Sequence, residues 1–129
     1  LFNKAVIGND DPVRVFWINE KKNKGAHSLI HKKGRKAVQE GVPAININKV
    51  FEECKPTVVK MDIEGAEYEV LPKMIRDGSI DYIDIVYAEF HGKKVHKERE
   101  DTKKIRTAIR ERGIPVHHWD AQSKKQIIL

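Results

Sequence analysis

The chain has 129 residues, 40% of them hydrophobic and 34% charged, which is enough for one domain with a modest core. Its mean hydropathy of -0.58, with no apolar run approaching the ~20 residues needed to span a bilayer, excludes a membrane-embedded helical protein. A single cysteine, Cys54, excludes an internal disulfide framework and a cysteine-cluster zinc site, while a net charge of +6 and a pI near 9.4 keep an anionic partner in view.

In chain order, residues 3–7 read as a strand and Asn9-Asp10-Asp11-Pro12 as a turn. Val13 to Ile18 alternates well enough for a second strand with Arg14 on one face. The polar, lysine-rich stretch 19–41 is too long for an ordinary connector, so it is expected to be a mobile or partner-binding loop within a single domain spanning 1–129. Ile45 to Ile47 is a short extended piece, after which Asn48 is placed to cap a brief helix from Lys49 to Cys54. Cys54 at that helix end is expected to be an inert thiol.

Residues 57–63 read as a buried strand, broken by Gly65, with a helix starting near Ala66. Pro72 fits poorly inside a helix, so a break is expected there before Met74 and Ile75 continue the apolar face. Ile83 to Phe90 is near-continuously apolar, as a parallel strand buried on both faces requires. Glu100 to Arg112 reads as a helix with Ile105, Ala108 and Ile109 inward, ended by Gly113. Val116 to Trp119 and Gln126 to Leu129 read as a closing hairpin.

Positive charge is spread along the chain: residues 1–64 carry 12 basic against 8 acidic side chains, and 65–129 carry 13 against 11. Aromatic residues do not interleave with the lysine clusters, so no base-stacking platform is supported and nucleic acid is not the expected partner.

The most informative stretch is 57–71, where Asp62, Glu64 and Glu67 gather at the carboxyl end of a strand. Ligands of open α/β sheets bind at that end, and carboxylates are costly at buried strand tips, so chemistry is indicated. Asp62 and Glu64 share parity and lean to one face. Glu89 and His91 end the next apolar strand; if the two strands pair, all four residues fall in one cleft. An imidazole with a pKa near 6.5 is a natural base. Structural roles stand beside these: Asp62 bonded to a neighbouring loop, Glu64 locking the turn at Gly65, Glu67 stabilising the first turn of its helix. Carboxylates with one imidazole suit a divalent ion, but spacing alone assigns no metal. His117 and His118 read as surface and packing residues.

Lys60-Met61-Asp62-Ile63-Glu64-Gly65-Ala66-Glu67, followed by Val70-Leu71, resembles the K-x-D-x-E-G-x-E…L signature of FkbM-type S-adenosylmethionine-dependent methyltransferases. Asn3 to Gly8 resembles the family's "A-V-G" strand, Val42 to Phe51 its lead into the signature, and Tyr87 to His91 its "E-x-H" strand end. The resemblance implies an α/β fold: a partial Rossmann-like methyltransferase sheet, mixed parallel, with a C-terminal antiparallel hairpin, matching the C-terminal two-thirds of such a domain. It implies methyl transfer from S-adenosylmethionine to a hydroxyl oxygen of a small-molecule or glycan acceptor. Asp62, Glu64 and His91 would be catalytic; Asp62, Glu64 and Gly65 would contact the cofactor; Glu67, Glu89 and His91 would contact the acceptor. A cytoplasmic setting is expected.

The resemblance also implies a glycine-rich cofactor loop. The eight glycines, at 8, 25, 34, 41, 65, 78, 92 and 113, include no G-x-G. The resemblance also implies that the strand ending in this loop pairs with 57–63; without it, the edge of 57–63 is expected to be covered by a second copy, by an upstream segment or by the strand 13–18. The alternative readings are a non-catalytic binding or assembly module of the same ancestry and a small basic nucleic-acid-binding domain.

Overall fold

The structure, a computed structural model, describes residues 4–19, 37–91 and 96–119. Its strands divide between two three-stranded sheets, one mixed and one wholly parallel. The first has the order β1-β3-β2, with β1 at Ala5–Ile7, β2 at Val13–Asn19 and β3 at Ala37–Asn46. The second has the order β4-β5-β6, from Val58–Met61, Ile85–Ala88 and Val116–His118. Helices α1 (Ile47–Cys54), α2 (Glu67–Asp77) and α3 (His96–Arg110) connect them, with a 3-10 turn at Ser79–Tyr82. This is the mixed α/β, partial Rossmann-like arrangement the sequence implied.

The loop expected over 19–41 is corrected at its C-terminal end. Residues 37–41 belong to β3, which runs antiparallel to β2 from Asn19↔Ala37 to Val13↔Pro43. Val38, Gln39, Glu40 and Gly41 are exposed, so their polar pattern carries no core signal. Their extended form comes from the backbone ladder with β2. The strand 13–18 is therefore occupied by β3 and does not cover β4. Among the described residues β4 pairs with β5 alone, and Val58 is 56% exposed.

The first helix starts earlier than expected, because Asn46 is its cap instead of Asn48. Its Oδ1 accepts from Asn48 N at 3.0 Å, while its Nδ2 donates to Asp10 Oδ1 at 2.8 Å. The buried amide thus serves the helix and the turn after β1 together. The break expected at Pro72 does not occur; α2 runs through it. An interior proline costs a helix ~3 kcal/mol. Val70, Leu71 and Met74, all 0% exposed, bury their side chains on either side of it, each contributing ~1.5–3 kcal/mol.

The core lies between the parallel sheet and the helices, with Met61, Val86, Ile80 and Ile109 joining the α2 residues. Helix α3 begins at His96, ahead of the expected Glu100, and sends Ile105 and Ile109 inward as its periodicity predicts. Of the expected closing hairpin, β6 is formed and pairs in parallel with β5; the other arm, 126–129, lies outside the described residues. Among the described residues no helix is long and apolar enough to cross a membrane.

The two sheets are joined through α2. Glu69 accepts from Gly8 N through Oε1 at 2.9 Å and pairs with Arg14 through Oε2. A Cβ at Gly8 would lie 3.0 Å from Glu69 Cγ and 3.2 Å from its carbonyl oxygen, so this close approach needs glycine.

Candidate active site

The register Met61↔Ala88 sets the ends of β4 and β5 side by side, and Glu89 N donates to Met61 O at 2.9 Å. Asp62 and Glu89 thereby leave the sheet together. After Asp62 the backbone turns sharply: Glu64 has φ 52 and Gly65 φ 110. The first is a left-handed conformation uncommon in a residue with a side chain; the second is open in practice to glycine alone. Such strain persists where surrounding contacts fix it. Here it swings Glu64 back over the strand ends and starts α2 with Glu67 pointing inward.

His91, two residues beyond Glu89, is the hub of the cleft. Its Nε2 lies 3.6 Å from Glu64 Oε2, 3.9 Å from Glu89 Oε1 and 4.0 Å from Asp62 Oδ1. Its Nδ1 is hydrogen-bonded to Glu67 Oε1, while Glu67 Oε2 accepts from Gly65 N at 2.5 Å. The exposures of these side chains differ in a telling way: Glu67 is 0% exposed, His91 23% and Asp62 32%. Three carboxylates therefore face the opening, and the fourth sits behind the ring. The hydrogen bond that the ring donates to Glu67, reinforced by the charges of Glu67, Glu64 and Glu89, holds the imidazole above its ordinary 6.5, against the opposing effect of burial.

The four residues expected in one cleft are thus brought into it. Glu67, expected against the acceptor, is instead wholly buried with both oxygens engaged. Gly65 contributes its backbone N–H and its conformation. His117 lies away from the cleft, stacked on Tyr87 with centroids 5.4 Å apart. Lys60, a fixed position of the signature whose role the sequence does not reveal, has its Nζ 4.3 Å from the Trp119 ring centroid. That contact brings the chain just beyond β6 against β4, across a separation in sequence too great for periodicity to reveal.

A family model for the FkbM methyltransferase domain matches residues 3–114. The chain belongs to the FkbM methyltransferase family. No curated protein and no solved structure shows a matching similarity. The FkbM match covers the first sheet, β4 and β5 of the second, all three helices and the cleft, and ends just short of β6.

The cleft fits one part of a methyl donor. Carboxylates from Asp62, Glu64 and Glu89 around one opening suit a cationic sulfonium, which they attract at short range. The nucleotide end calls for clustered glycines, which the eight glycines of the sequence do not supply. Asp62, Glu64 and His91 also offer one ligand atom each within 4.8 Å of one another, a spacing that admits a divalent ion. No other feature of the cleft calls for one.

Proposed function

We propose that this chain carries the acceptor side of a methyl-transfer site, moving a methyl group from S-adenosylmethionine to a hydroxyl oxygen of a small-molecule or glycan acceptor. The observation that carries the reading is the convergence of Asp62, Glu64 and Glu89 on His91 Nε2 at the adjoining carboxyl ends of two parallel strands. Membership of the FkbM family supports methyl transfer as the reaction class.

S-adenosylmethionine supplies an activated methyl group whose leaving group is a neutral thioether. The chain's own task is then orientation and proton removal. Asp62 and Glu64, at the strand tips beside Gly65, would hold the positive end of the donor. Glu89 and Asp62 accept hydrogen bonds from the acceptor and aim its hydroxyl. As the O–H bond gives way to the new O–C bond, His91 Nε2 receives the proton.

A second reading, a binding module descended from a methyltransferase, is favoured by the glycine census. Calorimetry with S-adenosylmethionine and S-adenosylhomocysteine separates the two. Binding that is lost in Asp62→Ala supports the enzyme reading; no heat at millimolar ligand sinks it and leaves the binding module.

A further inference from the structure

We propose that Glu67 is a positioning residue that fixes the tautomer of His91, keeping the proton on Nδ1 and leaving Nε2 bare toward the cleft. The proposal rests on the reading of His91 as the acceptor base and assigns that residue a partner the reaction itself never touches.

The argument begins with burial. A carboxylate with 0% exposure is costly unless both oxygens are bonded, and at Glu67 both are. An ionised carboxylate only accepts hydrogen bonds. Its Oε2 takes the Gly65 N–H, so its Oε1 takes a proton held on His91 Nδ1. A neutral imidazole protonated there has its lone pair on Nε2. The carboxylate oxygens of Glu64, Glu89 and Asp62 lie 3.6–4.0 Å from that nitrogen, beyond direct hydrogen-bond range, so none of them holds a proton on it, and the ring is 23% exposed.

A merely helix-stabilising Glu67 would look different. Its carboxylate would lie on the outside and meet the free N–H groups of its own first turn. Instead it reaches back to Gly65, ahead of the helix, and across to the end of β5. Gly65 matters to the logic, because a backbone N–H cannot reverse its role. In Glu67→Gln the single amide oxygen must serve that donor, which turns the NH2 group toward His91. The imidazole must then accept at Nδ1 and carry its proton on Nε2, where it cannot act as a base.

The test is 15N–1H NMR of the imidazole nitrogens in the full chain, at a pH where His91 is neutral, with its signals identified by their loss in His91→Gln. The expected result is a protonated Nδ1 and an unprotonated Nε2 in the wild type, with the proton shifted to Nε2 in Glu67→Gln. A wild-type ring carrying its proton on Nε2 overturns the proposal, as does a folded Glu67→Gln protein whose ring keeps it on Nδ1. If Glu67→Gln does not fold, the wild-type tautomer alone decides. No methyl donor or acceptor enters the measurement, so its failure is distinct from failure of the methyl-transfer reading.

Discussion

Glu69 makes a quantitative test of how the two sheets are held together. Its carboxylate is the polar link between α2 and the first sheet, through Gly8 N and Arg14. Both side chains of the ion pair are 29% exposed, so solvent screens it and it contributes about 0.2–1 kcal/mol. The Gly8 N–H bond to a charged acceptor contributes about 1.5–3 kcal/mol, and partial burial places it at the low end. Glu69→Ala is therefore expected to cost about 2 kcal/mol and Arg14→Met no more than about 1 kcal/mol. Glu69→Gln, which keeps an acceptor for Gly8, falls between them. The assay is urea unfolding of the wild type, both single variants and the double variant, at low and high salt. The double-mutant coupling should match the ion-pair share and shrink as salt rises, while the Gly8 share should not change. Equal costs for Glu69→Ala and Arg14→Met would refute the division of labour, because the backbone bond would then contribute nothing.

Two further outcomes follow from the same geometry. Pro72→Ala restores the backbone donor that would bond the Tyr68 carbonyl, so it should stabilise the protein, by up to ~3 kcal/mol in urea unfolding; destabilisation would show that the ring's packing outweighs the lost bond. His91 is held above its ordinary value by Glu67 first, so its protonated form stabilises the fold fully below about pH 6.5, and that contribution is lost as pH rises through the folded value. The stability gap between wild type and His91→Gln should therefore narrow from neutral to alkaline pH, and a gap that does not change with pH would contradict the assigned environment.

What could be read in advance, and what could not, divides along a physical line. The strand, turn and helix around Gly65 were legible because each leaves a local mark: apolar β-branched residues, a glycine, a resumed helical period. The pairing of β4 with β5 stood in the sequence only as a condition for one cleft, and the register from Val58↔Ile85 to Met61↔Ala88 meets it. Three features had no local mark. The strand at 37–41 takes its form from the backbone of β2, and side chains exposed on both faces do not report that. Helix α2 passes through Pro72 because three wholly buried neighbours outweigh a local cost, a sum that exists only once the core is assembled. Glu67 is the sharpest case. Its place in the first turn of a helix argues for an outward, dipole-facing carboxylate, yet the left-handed backbone at Glu64 and Gly65 turns it inward. Position along the chain thus found the acid, but only the geometry of the turn determines which way it faces, and the state of the His91 ring depends on that direction.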